Sequence, residues 1–350
     1  MHGIIEGPAD WHGPAMAQSR EWIHDFSPAE IAEIEAALRN AKARGRTMAT
    51  LTKEDFPLPE VAKRIEVARH HLENRAGLYQ LRGIKIDGYG KDELRLLYWG
   101  LGLHIGTAVS QSRDGDVLGD VRNVGVDVNS PAGRGYKSNQ RLSFHTDSAD
   151  VVGLFVLRVA KSGGVSMLAS SVAVHNEIAR QRPDLLELLY EPFYWSWNRQ
   201  EPPGEPPYYR QPIFSLHEGR FSCRYIRRQI INAQAFDEVP RLTAEQNEAM
   251  DLIDRLANSP EFHFPYVFQP GDLQLLNNHV CFHSRTAFED HPEHDRRRHL
   301  LRMWLSVPNS RPLSPLMHVI YQDQRGGVVR GGFPSRTGRY IYESTGEMVD

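Results

Sequence analysis

Apolar residues follow a helical period through the first third of the chain. The segment Ser27–Glu30 combines an N-cap serine, a proline in the first turn and an acidic residue, and the apolar residues after it fall on one helical face. The same spacing predicts a second helix from Pro59 to about Asn74 and a third from about Lys91 to Ile105. Residues 1–106 are therefore predicted to be mainly helical.

After residue 106 the pattern changes to short apolar segments of strand type, separated by glycine turns. The predicted strands are Arg141–His145, Val151–Val159, Val165–Ala169, Glu261–Phe268, Asp272–Asn277, His279–His283 and Arg298–Ser306. A hairpin is predicted from Gln211–Leu216 and Arg220–Ile226, and helices from Val172–Gln181, Pro183–Tyr190 and about Leu242–Ala257. Residues 112–140 and 193–210 predict two long connections, the first with at most one short strand.

Many short strands after a helical start are typical of an α+β protein whose jelly-roll core is braced by flanking helices. We expect one domain over residues 1–350. It would comprise the helical N-terminal region 1–106, a jelly-roll core with helical insertions over 107–310, and a C-terminal tail over 311–350. The tail carries two Gly-Gly turns and is expected to run over the surface.

Composition narrows the class of protein. The 350 residues include 41 Lys+Arg and 44 Asp+Glu, and the formal net charge of −3 argues against nucleic acid as the main partner. No apolar run reaches the ~18 residues of a membrane span, so no membrane partner is expected. Cys223 and Cys281 form no disulfide framework, which together with the absence of a visible secretory signal predicts a cytoplasmic location. The chain offers enough surface for a homo-oligomer.

The first chemical signal is the sequence Phe144-His145-Thr146-Asp147. Residues i and i+2 of a strand point to the same face, so His145 and Asp147 would present an imidazole and a carboxylate side by side. That pair suits a divalent metal of the first transition row. A polar strand end with a hydrogen-bonded pair would give the same three letters, so the triplet alone is a weak signal.

A second signal lies between Asn277 and Thr286, after the turn Gln269–Asp272. The segment offers His279 and His283, which alternate with apolar residues. A histidine on a core strand is usually a structural residue, but two on one face favour a metal ligand. With a carboxylate they would complete a facial triad of two histidines and one carboxylate, which leaves open positions on one side of the metal.

The third signal is the segment Arg296–Arg302. Strand alternation places Arg298, Leu300 and Arg302 on one face, while Arg296 and Arg297 fit a solvated basic turn. Arg302 lies in an otherwise apolar strand, and a buried arginine needs an anion. A guanidinium binds carboxylates in a bidentate fork, so the two arginines could hold two different anions.

Taken together, these motifs resemble the taurine dioxygenase family of non-haem Fe(II), 2-oxoglutarate-dependent oxygenases. The order of His-Thr-Asp, the segment Gly163–Ser166, a distal histidine and Arg-x-x-x-Arg carries the resemblance over roughly residues 95–310. The resemblance implies a double-stranded β-helix, the jelly roll, as the core. It also implies Fe(II), 2-oxoglutarate as cosubstrate and O2 as the cofactors.

By position, the resemblance also assigns the site. His145, Asp147 and His283 would be the iron ligands, with His283 preferred over His279 because Ser284-Arg285 follows it. The residues that would bind organic groups are Arg298 and Ser166 for the distal carboxylate of 2-oxoglutarate, and Arg302, Arg141, Tyr136 and Asn139 for the substrate. Ser166 replaces the usual threonine, and Arg141 replaces a substrate-contacting amide, which puts taurine itself in doubt.

The activity that the resemblance implies is oxidation of an unactivated C–H bond, with release of succinate and CO2. Hydroxylation is expected first, and desaturation or cyclisation would differ only in the placement of the substrate. The arginines favour a small anionic substrate, such as an amino-acid derivative. Two alternatives remain from the residues alone: a zinc-dependent hydrolase with the same ligands, which leaves Arg298 unexplained, and a non-catalytic jelly-roll binding module.

Overall fold

The computed structural model describes residues 2–126 and 135–342. The α-helices are α1 (Gly13–Gln18), α2 (Pro28–Ala43), α3 (Val61–Asn74), α4 (Lys91–Ile105), α5 (Ser171–Gln181), α6 (Pro183–Tyr190), α7 (Arg227–Ala233), α8 (Ala244–Ala257) and α9 (His318–Tyr321). The β-strands are β1 (Ile23–Asp25), β2 (Leu78–Arg82), β3 (Thr107–Val109), β4 (Leu118–Val121), β5 (Leu142–His145), β6 (Val151–Arg158), β7 (Ser162–Gly163), β8 (Ser166–Ser170), β9 (Phe193–Ser196), β10 (Tyr208–Gln211), β11 (Phe214–His217), β12 (Arg220–Cys223), β13 (His263–Tyr266), β14 (Leu273–Asn277), β15 (Cys281–Arg285), β16 (Phe288–Glu289) and β17 (His299–Ser306).

Two sheets form the core, which is a double-stranded β-helix, or jelly roll, as predicted. The larger sheet has the order β1-β2-β14-β6-β17-β3, and β4 also pairs with β17. The smaller sheet has the order β13-β8-β15-β5. All strand pairs in the two sheets are antiparallel except β1 with β2. Polar residues of both sheets meet in a cavity between them.

The side chains of β17 alternate between an apolar cluster on one face of the sheet and the cavity on the other. Leu301, Met303 and Leu305 point to one face of the sheet and join an apolar cluster with α2, α3 and α4. Leu300, Arg302 and Trp304 point to the other face and line the cavity. The N-terminal helices thus brace the outer face of the larger sheet, and the inner face stays available for a site.

The second group of helices, α5, α6 and α8, packs with the smaller sheet in another apolar cluster. The N-cap predicted at Ser27 is present and forms a capping box with Glu30 at the start of α2, and Thr243 forms a capping box with Gln246 at the start of α8. The bounds of α4 and α6 are those predicted from sequence. None of the helices in residues 2–126 and 135–342 has the length and apolar character that a membrane crossing requires.

The N-terminal region departs from the prediction because it contributes two strands. β1 and β2 pair in parallel, and β2 joins the larger sheet beside β14. β2 is a short apolar segment whose two end leucines, Leu78 and Leu81, are fully buried. A run of this length does not distinguish a buried strand from a piece of helix, which is why periodicity missed it.

Residues 193–233 also contain structure that the sequence did not predict. The connection 193–210 holds β9 and β10, which pair antiparallel from Phe193 opposite Gln211. The second strand of the predicted hairpin ends at Cys223 instead of Ile226, and α7 begins directly after the predicted end, at Arg227. Aromatic residues in β9 are buried, so packing outweighs the turn-forming prolines of this segment.

The prediction that residues 311–350 run over the surface is wrong for the part that reaches Phe333. Leu313, Met317, Ile320 and Tyr321 are buried in the core. The Gly-Gly pairs serve close approach of backbone as well as turning: a Cβ on Gly332 would lie 2.5 Å from the carbonyl oxygen of Ser110. The segment is therefore part of the packed structure.

Candidate active site

His145 and His283 lie opposite each other on the neighbouring strands β5 and β15. Their ring centroids are 4.2 Å apart. Strand β5 ends at His145, so Asp147 lies in the following loop rather than on the same strand face as predicted. The Asp147 backbone N–H donates to the Asn278 side-chain oxygen at 2.8 Å. In this arrangement one ligand atom from each of His145, Asp147 and His283 lies within 4.8 Å of the other two.

The electrostatics keep these three groups in the forms that bind metal. Burial lowers the pKa of His283 to about 3 and also lowers the pKa of His145. Burial opposes ionisation of Asp147, but the Arg302 guanidinium and the two imidazoles outweigh it and lower its pKa. At neutral pH the cluster therefore offers two neutral imidazoles and one carboxylate.

The hydrogen bonds of His145 and Asp147 leave one atom of each side chain available to bind a metal. His145 Nδ1 lies 2.8 Å from the Ser143 carbonyl oxygen and donates to it, so the lone pair is on Nε2. Asp147 Oδ2 is buried and has no hydrogen-bond partner among the described residues, with His283 Nε2 3.7 Å away. A buried carboxylate oxygen without a donor is costly, and a divalent cation would satisfy it. The donor set thus fits an Fe(II) ion.

A cavity of about 700 Å³ opens from this cluster. Apolar residues form part of its wall, among them Phe144, Leu154 and Leu300 of the two sheets and Phe268 of the loop after β13. Arginines form much of the remainder. A pocket of this kind, mainly apolar with a few convergent polar groups, is typical of a small-molecule site.

Arg298 and Ser166 share one part of the cavity wall. Arg298 is 4% exposed and stacks over the Phe288 ring at 5.1 Å. Burial and the nearby Arg285 lower its pKa to about 9, so it still carries a proton at neutral pH. The Ser166 hydroxyl donates to the side-chain oxygen of Gln274 at 3.1 Å.

Arg302 lies nearer the metal-ligand cluster. Its Nε donates to the side-chain oxygen of Gln111 at 2.7 Å, and its guanidinium stacks on Tyr136 at 4.4 Å and Trp304 at 5.2 Å. Its Nη1 is 3.6 Å from Asp147 Oδ1. The guanidinium therefore lies at the edge of the cluster, within cation–π distance of two rings.

One known family model matches most of the chain. The family model described as taurine catabolism dioxygenase TauD, TfdA family matches residues 43–304. This chain belongs to the TauD/TfdA family. The match spans β5, β15 and nearly all of β17, and so covers every strand that carries a predicted iron ligand.

Individual relatives support the TauD/TfdA assignment. The chain is 34% identical to FR-33289 synthase of Streptomyces rubellomurinus over 88% of this chain and 91% of the relative. It is 28% identical to the taurine hydroxylase-like protein SAT17 of Stachybotrys chartarum, over 87% of this chain and 80% of that protein. Among solved structures, asparagine oxygenase with Fe(II), hydroxyasparagine and succinate matches with a TM-score of 0.63 at 15% identity, over 81% of this chain and 93% of that one.

As a TauD/TfdA dioxygenase, the protein is an Fe(II)- and 2-oxoglutarate-dependent oxygenase that acts on small substrates with O2. This confirms the enzyme class and cofactors that the sequence resemblance implied. It also decides against the zinc-dependent hydrolase and the non-catalytic binding module.

The substrate residues predicted for the TauD/TfdA site differ in their placement. Tyr136 lines the cavity and covers Arg302. Arg141 lies at the exposed rim of the cavity and donates to the side-chain oxygen of Asn258. Asn139 is exposed and lies outside the group of described residues that line the cavity, because the turn around it directs backbone carbonyls inward. Its position gives no support to a substrate contact.

His279 and His283 have different partners in the TauD/TfdA protein. His279 precedes β15, and its Nε2 lies 3.0 Å from Asp150 Oδ1, away from His145 and Asp147. His283 lies inside the cluster. The two histidines therefore belong to different groups, although they are four residues apart.

Two residues of the TauD/TfdA cavity were missed by sequence reasoning. Gln111 holds Arg302 twice, since its side-chain nitrogen also donates to the Arg302 carbonyl at 2.8 Å. Arg285 lies two residues after His283 on β15 and lines the cavity. Strand alternation from His283 could have identified Arg285, whereas no local pattern identifies Gln111.

Proposed function

We propose that His145, Asp147 and His283 bind the Fe(II) of this dioxygenase, and that Arg298 and Ser166 bind the distal carboxylate of 2-oxoglutarate. The observation that carries the proposal is the convergence of three ligand atoms within 4.8 Å in the cavity that Arg298 also lines. Two histidines and one carboxylate leave one side of a metal open, as oxygenases of this type require.

The roles of the side chains follow from their contacts. The Ser143 carbonyl fixes the tautomer of His145, so that Nε2 faces the ligand cluster. Arg302, 3.6 Å from Asp147, keeps that carboxylate ionised. The apolar wall limits water around the reacting groups. When bound, Fe(II), 2-oxoglutarate and O2 supply the oxidising chemistry.

We propose a small anionic substrate that carries a carboxylate or sulfonate and is anchored by Arg302. The guanidinium is 8% exposed, lines the cavity and is oriented by Gln111 and Tyr136. An anion bound there would place an adjacent carbon beside the metal cluster. Arg141 at the rim would attract the same anion during entry.

An amino-acid derivative fits this proposal in size and charge. The structures that share the fold include asparagine oxygenase with 3-hydroxyasparagine and the oxygenase OrfP with 3-hydroxyarginine. Hydroxylation is the proposed outcome, and desaturation or cyclisation would need a different placement of the substrate. Neither nucleic acid nor membrane is proposed as a partner. A homo-oligomer remains a prediction, and two buried unpaired thiols support a cytoplasmic location.

The proposal is tested by anaerobic titration of the protein with Fe(II) and then 2-oxoglutarate. We expect the weak visible charge-transfer band of the chelate, with saturation at one equivalent of iron. His283→Ala should abolish the band. Arg298→Ala should keep iron bound but raise the apparent Michaelis constant for 2-oxoglutarate by about a hundredfold, since a charge-assisted bidentate contact is lost.

The exposed Arg296 supplies the control for Arg298. Arg296→Ala should leave both the band and the Michaelis constant unchanged. An unaltered Michaelis constant in Arg298→Ala would move the cosubstrate anchor elsewhere. Substrates are then sought among small anions by succinate release that depends on the added compound.

A further inference from the structure

Arg285 lies where two elements of the proposed site meet. It is 5% exposed and follows His283 by two residues, so strand alternation directs both side chains to the cavity face of β15. Across the ladder with β8, Arg285 is the direct partner of Ser166. Cross-strand partners lie side by side, so Arg285 is adjacent to the hydroxyl proposed to meet the distal carboxylate.

Arg285 and Arg298 place two buried positive charges beside each other. Both guanidiniums stack on Phe288, at 4.7 Å for Arg285 and 5.1 Å for Arg298. Neither has an ion-pair partner among the described residues. Burial lowers the pKa values of both guanidiniums, and the negative charge of Asp290 acts against this effect and raises them. One Asp290 oxygen accepts a hydrogen bond from the backbone N–H of Arg298.

Both guanidiniums carry donors that lack a partner among the described residues. Arg285 Nη2 donates to the carbonyls of Ser138 and Gln140. Its Nε and Nη1, and Nη1 of Arg298, are buried without a partner in the described parts of the chain. Buried charged donors without acceptors are costly, so this arrangement calls for an anion with several lone pairs.

The contacts of Arg285 also fix its orientation. Because one end of the guanidinium is held by two carbonyls of the turn 138–140, its remaining donors cannot rotate freely. One carboxylate offers two oxygens and about four lone-pair sites, enough to accept hydrogen bonds from two guanidiniums and a serine hydroxyl. A single arginine would leave part of that capacity unused.

We propose that Arg285 is a second binding residue for the distal carboxylate of 2-oxoglutarate, completing a two-guanidinium site with Arg298. This inference rests on the proposed function, because it assumes that Arg298 binds that carboxylate. Arg285 contacts the cosubstrate at the end remote from the iron, and it holds the turn 138–140 against the same group.

The test compares two keto acids on the same protein. Calorimetric titration of the Fe(II)-loaded enzyme under argon gives dissociation constants for 2-oxoglutarate and for 2-oxopentanoate, which chelates alike but lacks the distal carboxylate. We expect Arg285→Gln to weaken 2-oxoglutarate by about tenfold, the cost of losing charge-assisted hydrogen bonds. Binding of 2-oxopentanoate should change by less than about twofold, because it never meets Arg285.

Controls keep the result interpretable. Arg296→Gln, on the exposed turn, should change neither constant. Arg285→Lys keeps the charge with fewer donors and should lie between wild type and Arg285→Gln for 2-oxoglutarate only. Equal weakening of both keto acids by the two Arg285 variants would mean that Arg285 only supports the turn, and would overturn the inference, as would no weakening of either.

Failure of the underlying function has a different signature. If Arg298→Gln weakens 2-oxoglutarate selectively and Arg285→Gln does not, only the second guanidinium is wrong. If Arg298→Gln also leaves 2-oxoglutarate binding unchanged, the proposed cosubstrate site itself is wrong.

Discussion

Two clusters of the same residue types lie close together in this protein and have opposite character. One combines His145, His283 and Asp147 with Arg302. The other combines His279 and Asp150 with Arg330. Asp150 Oδ1 lies 3.0 Å from His279 Nε2 and accepts from Arg330 Nε at 2.9 Å, and its Oδ2 meets Ser306 and Val307 at 3.3 and 3.4 Å. In the first cluster, Asp147 Oδ2 has no partner among the described residues.

The contrast teaches that composition does not distinguish a site from a structural ion pair. Arg330 is 2% exposed and also donates to three carbonyls, so its charge is saturated by protein. Arg302 instead turns its guanidinium to a cavity. The Asp150 network is closed in the sense that its charges are paired within the protein, although His279 Nδ1 has no hydrogen-bond partner among the described residues. It stabilises the packed C-terminal segment, whereas the Asp147 network faces a cavity and is open to ligands.

The largest expected effect separates the histidines of the two clusters. His283→Ala and His145→Ala should lose Fe(II) completely, because each removes one of the three proposed protein ligands. His279→Gln should retain Fe(II), because its imidazole bonds to Asp150 instead. Metal content after desalting of anaerobically loaded protein measures this. Loss of iron in His279→Gln, with a native circular dichroism spectrum, would contradict the separation.

Next in size is the stability carried by the closed cluster. Arg330→Met leaves Asp150 buried without its guanidinium, and the free energy of unfolding should fall by about 3 to 5 kcal/mol. Urea denaturation measures the change, and iron retention should be unaffected.

Arg325 provides the matched control for Arg330. It is an exposed arginine paired with Asp323 on the same segment. Arg325→Met should leave the free energy of unfolding nearly unchanged, because solvent screens an exposed ion pair. An equal fall in the free energy of unfolding of the two variants would show that the buried ion pair stabilises the protein no more than the exposed one.

Acid should weaken the metal-free protein through the closed cluster. Burial lowers the pKa of His279 from 6.5 to about 4. Because the folded pKa is below the unfolded one, the stabilisation is complete above pH 6.5 and is lost as the pH falls toward 4. His279→Gln should flatten this part of the profile of unfolding free energy against pH. An unchanged slope would assign acid sensitivity to other groups.

The smallest expected effect concerns the open cluster. Gln111→Leu removes the hydrogen bond that orients Arg302, and the Michaelis constant for the anionic substrate should rise by about threefold to tenfold. The dissociation constant of 2-oxoglutarate should not change, because the two hydrogen bonds between Gln111 and Arg302 act on the proposed substrate anchor. Steady-state kinetics and calorimetry give the two values. A joint rise would mean that Gln111 supports the whole cavity.

Sequence reasoning succeeded where chemistry and local periodicity coincide. Strand alternation placed Arg298 and Arg302 on one cavity wall, and the structure has both there. Strand alternation alone could not decide between His279 and His283 as the candidate metal ligand, because residues four positions apart on a strand point to the same face. The structure separates them because β15 starts at Cys281, which leaves His279 in a turn.

Long-range contacts account for the failures. The C-terminal segment was expected at the surface because glycines dominate its pattern, yet the pair of Arg330 with Asp150 joins residues 180 positions apart. Likewise, β2 enters the sheet only through its pairing with β14. Such pairings depend on the folded context of the partner strand, which a local window does not contain.

The five-residue strand β15 places His283 and Arg285 two positions apart on one face, with β8 on one edge and β5 on the other. A slip of one residue in this ladder would turn both side chains away from the cavity together. The proposed iron ligand His283 and the proposed carboxylate anchor Arg285 would thus be lost together by a single change of register. Tyr136 and Arg141 at the cavity entrance lie outside β15 and do not depend on that register.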